Sequence, residues 1–283
     1  MALCKHVTII GLGLIGGSLG LAAKRRRLAA TVMGCSRKAS TVRRARARGA
    51  IDVGTTDTRR AVADADLVVL ATPVGTIVPL GARVARFMRP GSLLTDVGST
   101  KARVVRDLER SLPRHVKFVG GHPIAGSEQR GIGAASAALF DGSSCILTRT
   151  ARTDSAALAT VSRLWRSLGC RVVVMSPEDH DRLLATASHL PHVLAYSLAL
   201  ALSDSSIRLP RLPRSFLDAT RIAKSDPDLW DDIFLSNRRH VLEAIDRFER
   251  TLRQFRACVA QPRPAALRRL LRRAKARRDH ISD

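Results

Sequence analysis

Short runs of apolar residues alternate with helix-length segments in the first half of the chain. The runs lie at residues 7–10, 31–34, 67–71, 92–95, 116–119, 145–148 and 172–175. Because they are apolar at successive rather than alternate positions, they predict strands that are buried on both faces. Helices that join such strands cover a parallel sheet from both sides. We therefore predict an α/β fold with a doubly wound, mostly parallel sheet.

Helical periodicity replaces the strand pattern from residue 177 onward. Residues 178–202 form one long helical pattern, in which Pro191 predicts a kink or a break. Farther along, apolar residues recur at alternating spacings of four and three, at Val241, Ile245, Phe248, Leu252, Phe255 and Val259. Such a stripe requires a partner helix, from this chain or from another subunit. We predict an α/β domain at residues 1–176 and an all-α domain at 177–283 that ends in a basic tail.

The composition limits the class of protein. Of the 283 residues, 45% are hydrophobic and 25% are charged, so the chain can bury a core and is not disordered. The five cysteines are scattered and form no C-x-x-C pair, which favours a reduced, cytoplasmic protein. Five glycines interrupt the apolar stretch at 7–23, which is typical of a strand-to-helix turn rather than a signal peptide. We find no other segment long enough to span a bilayer and expect a soluble protein with no membrane partner.

The formal net charge of +24 raises the question of a polyanionic partner. Arginine supplies 41 of the 48 basic residues, as a GC-rich gene would produce, and only 4% of the residues are aromatic. Few rings are therefore available to stack on bases. We expect a solvated basic surface and no nucleic-acid partner, and we keep polyanion binding on a nucleotide-binding fold as an alternative function.

A glycine-rich turn follows the first predicted strand. The sequence G-L-G-L-I-G occupies residues 11–16. In such a turn the first glycine allows a sharp bend, the second lets the backbone approach a pyrophosphate, and the third lets the next helix pack closely on the strand. The pattern predicts a Rossmann-like dinucleotide site. Its candidate residues are Gly11, Gly13, Leu14, Ile15 and Gly16, together with Thr72 and Pro73 after the run at 67–71.

The end of the second predicted strand bears on the choice of cofactor. An NAD site usually has an acidic residue about 20 residues past the glycines, where it binds the ribose 2′-hydroxyl. No acidic residue occurs between Gly20 and Ile51, and the strand is followed by Ser36, Arg37 and Lys38. A hydroxyl and two cations suit a 2′-phosphate, which a carboxylate would repel. We therefore favour NADP over NAD.

Four polar motifs follow in order along the rest of the chain. They are D-V-G-S-T-K at 96–101, G-H-P-I-A-G-S-E at 121–128, S-H-L-P-H at 188–192 and T-R-I-A-K-S-D-P-D-L-W at 220–230. With the glycine-rich turn, they resemble the prephenate/arogenate dehydrogenases of tyrosine biosynthesis, and the resemblance covers about residues 5–240. It implies an NAD(P)-dependent oxidative decarboxylation of prephenate, arogenate or both, which yields 4-hydroxyphenylpyruvate or tyrosine.

The resemblance also implies roles for single residues. His122 would accept the proton of the substrate hydroxyl, because an imidazole titrates near neutral pH. Ser99 would support His122 by a hydrogen bond beside the nicotinamide. Arg221 would bind a substrate carboxylate with its planar guanidinium group. The remaining substrate-binding candidates are Ser127, Glu128, Ser188, His189 and His192.

Two other interpretations remain open at this point. The spacing of His189 and His192 would allow a metal site, but no third ligand at helical spacing accompanies them, and we predict no metal. A β-hydroxyacid dehydrogenase would share the fold, yet that class uses a helix-borne lysine, and the second half contains only Lys224 and Lys275. The resemblance favours a homodimer formed through the helical domain. It does not decide between prephenate and arogenate.

Overall fold

The computed structural model describes residues 3–126, 129–203 and 212–281. A parallel six-stranded sheet consists of β1 (Cys4–Ile10), β2 (Ala29–Cys35), β3 (Val53–Thr55), β4 (Leu67–Leu70), β5 (Leu93–Asp96) and β6 (Lys117–Val119). The strand order is β3-β2-β1-β4-β5-β6, so the order reverses between β1 and β4. Ligands of doubly wound sheets bind beyond the carboxyl ends of the strands at such a reversal.

The strands that follow β6 along the chain form a second sheet. It contains β7 (Gly121–Ile124), β8 (Ser144–Thr148) and β9 (Arg171–Met175). Strand β7 runs antiparallel to β8, and β9 runs parallel to β8. The predicted α/β fold with a mostly parallel, Rossmann-like sheet is thereby confirmed.

Helices alternate with the strands in the first part of the chain, and helices alone follow β9 in the described residues. Those of the first part are α1 (Leu14–Arg25), α2 (Ala39–Ala47), α3 (Thr58–Val62), α4 (Val74–Ala85), α5 (Ala102–Ser111) and α6 (Ser155–Ser167). The later ones are α7 (Pro177–Leu184), α8 (Leu190–Ser203), α9 (Arg214–Thr220), α10 (Pro227–Ser236), α11 (Arg238–Ala260) and α12 (Pro264–Asp279). No strand follows β9 in the part of the chain that the structure describes, in agreement with the predicted helical second half.

Strand β4 shows why the apolar runs are continuous. All four of its residues are buried. Leu67 and Val69 join a core cluster with Leu19 and Trp165, whereas Val68 and Leu70 face a second cluster on the opposite side of the sheet. A central strand with helices on both faces has no solvent side, so neither face can carry polar residues.

Helices α7 and α8 are joined by a π-helical turn over Ala185–His189. Pro191 lies immediately after this turn, in the first turn of α8. A proline has no N–H group to donate and its ring displaces the carbonyl of the preceding turn, so a local change of hydrogen-bond pattern accommodates it. The predicted kink or break at Pro191 is therefore a widened turn within a continuous helical stretch.

This continuous stretch, Pro177–Leu202, is long and apolar enough to cross a membrane by length and composition alone. The sequence-based expectation that no segment beyond the N-terminal one has this length is wrong. Its one buried carboxylate, Asp181, accepts hydrogen bonds from the backbone N–H groups of Lys101 and Ala102. A core helix of a folded domain passes the same length test, and these contacts tie the stretch to the α/β part.

The chain divides into two compact units, Met1–Asn237 and Arg238–Asp283. Within the first unit, α7 packs on α5 and α10 packs on α4. The second unit contains α11 and α12, which pack on each other. This division by contacts falls after Asn237 and does not test the predicted domain boundary at residue 176, which stays a prediction.

Candidate active site

A cavity of about 980 Å³ opens beyond the carboxyl ends of β1, β4 and β5, within the first unit. Many of the sequence-predicted site residues line it: Gly13, Leu14, Ile15, Thr72, Pro73, Ser99, His122, Ser188, His189, His192 and Arg221. The glycine-rich turn, the imidazole of His122 and the guanidinium of Arg221 therefore face one space. Ser127 and Glu128 were also predicted for this site, but they lie outside the described residues.

The glycine-rich turn has the backbone that its sequence predicts. Gly11 has a φ of +101°, and a Cβ atom there would lie 2.2 Å from the carbonyl oxygen of Ala71. A Cβ atom on Gly16 would lie 1.9 Å from the carbonyl oxygen of Gly11. A Cβ atom on Gly13 would meet nothing within 4 Å, so this position faces open space at the start of α1. The turn thus combines close internal packing with room beside the helix N-terminus, as a dinucleotide requires.

Ser36, Arg37 and Lys38 lie just beyond the carboxyl end of β2, at the same edge of the sheet as the glycine turn. Ser36 is half-buried and its backbone N–H donates to the carbonyl of Thr55, whereas the two cations are exposed. They do not line the main cavity. In a dinucleotide site whose pyrophosphate binds at the N-terminus of α1, the ribose binds at this place beside β1.

A chain of hydrogen bonds leads from the cavity into the protein. Nδ1 of His122, on β7, lies 2.8 Å from Nε2 of His180, and Nδ1 of His180 lies 2.7 Å from Oδ1 of Asp181. The Asp181 carboxylate also accepts hydrogen bonds from the N–H groups of Lys101, at 2.7 Å, and Ala102, at 2.9 Å. The carboxylate is thus fixed at the N-terminus of α5, where the helix dipole favours a negative charge.

This network assigns the protons of the two imidazoles. A carboxylate only accepts hydrogen bonds, so His180 donates to Asp181 through Nδ1 and keeps a lone pair on Nε2. His122 then donates through Nδ1 to that lone pair, which leaves its own Nε2 as an acceptor. The hydrogen bond that orients His122 comes from His180 rather than from Ser99.

The surroundings keep these imidazoles uncharged. Burial lowers the pKa of His122 well below its ordinary value, and the nearby His180 and Lys101 lower this pKa further. Burial also lowers the pKa of His180, although the Asp181 carboxylate acts in the opposite direction. Burial lowers the pKa of His189 to about 4. At neutral pH the rings are therefore neutral and can accept protons.

A buried ion pair fixes the segment that carries Ser99. Nζ of Lys101 binds the carboxylate of Asp96, and both side chains are fully buried. Asp96 also accepts hydrogen bonds from the N–H groups of Gly98, at 2.8 Å, and Gly121, at 3.2 Å. These bonds compensate the buried charges and hold the loop after β5 against the start of β7.

Part of the cavity lining is aromatic. The ring of His192 stacks on Trp230 with centroids 3.4 Å apart, and Nδ1 of His192 donates to the carbonyl of Ser188 at 3.0 Å. Asn237 donates from Nδ2 to Nδ1 of His189, at 3.2 Å. Both histidines of the H-x-x-H pair thus have partners within the protein. Over the described ranges there is no group of three His, Cys, Asp or Glu side chains arranged to hold a metal ion.

The mouth of the cavity carries an ion pair between two distant segments. Nη1 of Arg130 lies 2.5 Å from Oδ2 of Asp226, the residue that caps α10. Among the described lining residues, Arg130, Arg221 and Asp226 are the ones that carry a formal charge at neutral pH.

Sequence reasoning missed His180, Asp181 and Asn237. The segment S-P-E-D-H-D at 176–181 has the pattern of a capped helix start, and Ser176 does cap α7. Helical spacing places His180 and Asp181 on the inner face of α7, but only the docking of α7 on α5 shows that their polar groups meet partners there. Asn237 gives no such signal, because it lies between two helices in a polar stretch.

Comparison with known proteins agrees with this site. Family models for the prephenate dehydrogenase nucleotide-binding domain and dimerization domain match residues 19–174 and 176–273. A cyclohexadienyl dehydrogenase from Zymomonas mobilis is 39% identical over 92% of this chain and 90% of its own length. A prephenate dehydrogenase from Bacillus subtilis is 36% identical over 97% of this chain and 76% of its own length.

Solved structures extend the agreement to the fold. The crystal structure of prephenate dehydrogenase from Aquifex aeolicus in complex with hydroxyphenyl propionate and NAD+ superposes with a TM-score of 0.92, at 35% identity over 98% of both chains. The Synechocystis arogenate dehydrogenase gives a TM-score of 0.84 at 28% identity over 97% of this chain and 99% of its own. These matches confirm the resemblance that the motifs indicate. The chain belongs to the prephenate dehydrogenase family.

Proposed function

We propose that this protein is an NAD(P)-dependent dehydrogenase that oxidatively decarboxylates prephenate, arogenate or both, in tyrosine biosynthesis. The observation that carries the proposal is the single cavity that the glycine-rich turn, the neutral imidazole of His122 and the guanidinium of Arg221 all line. The products are 4-hydroxyphenylpyruvate from prephenate and tyrosine from arogenate.

In the proposed reaction, His122 accepts the proton of the ring hydroxyl through Nε2. A bound nicotinamide cofactor supplies the acceptor for the hydride that leaves the same ring carbon. The bond to the ring carboxylate breaks and carbon dioxide departs. The electron pair of that bond completes the aromatic ring, and the ring oxygen takes the proton back from His122, which leaves a phenol and a neutral imidazole. Protonated His122 is stabilised through His180 by the Asp181 carboxylate, and base assistance of this kind contributes about 10²–10⁴-fold in rate.

We assign the substrate's carboxylate to Arg221, because a planar guanidinium binds a carboxylate through two parallel hydrogen bonds. Ser99 lies half-buried in the cavity wall and is proposed to contact the substrate hydroxyl. Ser188, His189 and His192 are proposed to contact the substrate ring. Ser127 and Glu128, which end the G-H-P-I-A-G-S-E motif at 121–128, are proposed as further substrate-binding residues. The stack of His192 on Trp230 supports a flat slot for a ring on this side.

For the cofactor we propose NADP in preference to NAD. The support is the hydroxyl and two cations of Ser36, Arg37 and Lys38 at the end of β2, and the lack of any acidic residue between Gly20 and Ile51. The Aquifex relative was solved with NAD+, so the two cofactors must be compared directly.

We further propose a cytoplasmic homodimer formed through the helical part. The matching family model is described as a dimerization domain, and the stripe residues Leu252 and Val259 of α11 are 53% and 68% exposed. All five cysteines are free thiols, which supports a reducing compartment.

The test is the reduction of NADP+ and of NAD+ by the purified protein with prephenate and with arogenate, four combinations in all. We expect reduction coupled to release of carbon dioxide and formation of a phenolic product. A protein that reduces neither cofactor with either substrate would contradict the proposed function.

A further inference from the structure

Helix α10 carries residues that face the cavity. Trp230 and Ile233, one turn apart, line the cavity and are buried. Asn237 follows one turn later, and its side chain binds His189 and the carbonyl of Asp181. The position of α10 therefore sets the position of the aromatic wall and of the amide that orients His189.

A second face of the same helix is bound to the nucleotide-binding part. Asp232 and Ser236 are four residues apart and share this face. Oδ2 of Asp232 accepts a hydrogen bond of 2.8 Å from the backbone N–H of Gly75, and the hydroxyl of Ser236 lies 3.0 Å from that of Thr100.

The contact at Gly75 caps a helix across the fold. Gly75 is the second residue of α4, and the N-cap residue of this helix, Pro73, has no polar side chain that could bind the free N–H groups. Asp232 supplies the missing acceptor from a position 157 residues later in the chain. A carboxylate at this place also interacts favourably with the helix dipole.

Both partners are fitted to this contact. A Cβ atom on residue 75 would lie 2.8 Å from Oδ1 of Asp232, closer than a carbon atom and an oxygen atom normally approach. A Cβ atom there would push the Asp232 side chain outward, and glycine leaves the carboxylate room beside the backbone N–H. Residues 72 and 73, which are proposed to bind the cofactor, precede α4 directly and line the same cavity.

We propose that Asp232 and Gly75 are positioning residues for substrate binding. Their hydrogen bond holds α10 on the first turn of α4, and α10 in turn holds Trp230 and Asn237 at the substrate wall. This inference rests on the proposed function. It adds two residues outside the sequence motifs, and their role is to fix the position of Trp230 and Asn237 relative to Thr72 and Pro73.

The first test compares the Michaelis constants of matched variants. Asp232→Ala is expected to raise the substrate KM about tenfold, as the loss of a charge-assisted hydrogen bond would. The cofactor KM and the turnover at saturating substrate should change little. Gly75→Ala should raise the substrate KM in the same direction but by a smaller factor, because the Asp232 side chain can shift away from the added methyl group. Asp232→Asn, which keeps an acceptor oxygen, should restore most of the affinity. Asp231→Ala, on the exposed face of α10, is the control.

A purely structural role predicts a different result. If Asp232→Ala and Gly75→Ala lower the melting temperature but leave the substrate KM equal to that of Asp231→Ala, the proposal is overturned. Should one of these two variants fail to fold, the other decides, because a substrate KM in it equal to that of Asp231→Ala also overturns the proposal.

A second measurement separates this inference from the proposed function. Wild-type protein that is inactive on both substrates would remove the proposed function only. Trp230 can then be followed by acrylamide quenching of its fluorescence, since the other tryptophan, Trp165, is fully buried. Asp232→Ala should make Trp230 more quenchable than in the wild type and in Asp231→Ala. Equal quenching in all three proteins overturns the positioning role.

Discussion

The imidazole of His122 acquires the properties of a base from its neighbours. Its Nδ1 atom is held by His180, which Asp181 orients in turn, so that Nε2 is the remaining acceptor. Burial keeps its pKa low, and the ring is therefore neutral when substrate arrives. The sequence indicated His122 by its motif, but it could not show this arrangement, because His180 and Asp181 lie about 60 residues away in the chain.

Replacing His122 tests the base directly. We expect His122→Asn to lower turnover by about 10²–10⁴-fold, because an amide cannot accept the hydroxyl proton, with a much smaller change in substrate KM. Steady-state kinetics of purified variants measure both constants. The exposed His115 provides the control His115→Asn. Wild-type turnover in His122→Asn would exclude this residue as the base.

The charges at the cavity mouth lead to a prediction on substrate preference. Prephenate has two carboxylates, and arogenate has two carboxylates and an ammonium group. Arg221 and Arg130 can serve the carboxylates, and among the described lining residues Asp226 is the one carboxylate that could bind the ammonium group. We expect Asp226→Asn to lower kcat/KM for arogenate about tenfold more than for prephenate.

Asn also caps helices well, so α10 should remain intact in the Asp226→Asn variant. The control is Asp228→Asn, which removes an exposed carboxylate from the first turn of the same helix. If both substrates lose the same factor in Asp226→Asn, the carboxylate does not distinguish them.

At the scale of elements, the regular βα repeats follow directly from the apolar pattern, and the irregular elements do not. Strand β7 contains Gly121, His122 and Pro123 and has no strand pattern of its own, since it exists by pairing with β8. Strand β3 has only three residues, and Gly54 lies within it against the side chain of Val42. Such elements depend on partners that are distant in sequence, which local periodicity cannot indicate.

The junction of β2 and α2 carries a prediction on the cofactor. Ser36 follows the last residue of β2 beside the glycine-rich turn, where a carboxylate would bind a ribose 2′-hydroxyl and repel a 2′-phosphate. We expect Ser36→Asp to lower kcat/KM for NADP and to raise it for NAD, which a comparison of the two cofactors at fixed substrate measures. Ser40→Asp, at an exposed position within α2, is the control. An unchanged cofactor ratio in Ser36→Asp would show that NADP preference does not arise here.

At the scale of the whole molecule, the buried histidines make stability depend on pH. The pKa of His189 falls from its ordinary 6.5 to about 4 in the folded protein, and those of His122 and His180 are lowered as well. Between the two values the unfolded chain binds more protons than the native protein. The free energy of unfolding should therefore decrease as the pH falls from 6.5 towards 4, with His189 alone contributing about 3 kcal/mol.

Denaturant unfolding at a series of pH values measures this decrease. His189→Gln removes the titrating ring and keeps an acceptor for Asn237, so its stability should depend less on pH over the same interval. If the free energy of unfolding of the variant decreases by the same amount between pH 6.5 and 4, other groups cause the effect.

The second unit carries the last prediction, because part of the apolar stripe on α11 is exposed. Leu252 and Val259 are seven residues apart on α11, two turns of one face, and both are more than half exposed. A second copy of this chain would bury them, and each such side chain removed from water contributes about 1.5–3 kcal/mol.

We expect sedimentation velocity to give a dimer for the wild type. The double variant Leu252→Arg, Val259→Arg should dissociate it, since the added charges would face each other across the two-fold axis. Thr251→Arg introduces the same charge next to the stripe but off its face, and it should remain dimeric. A double variant that stays dimeric would place the interface elsewhere on the helices, and a monomeric wild type would contradict the proposed assembly itself.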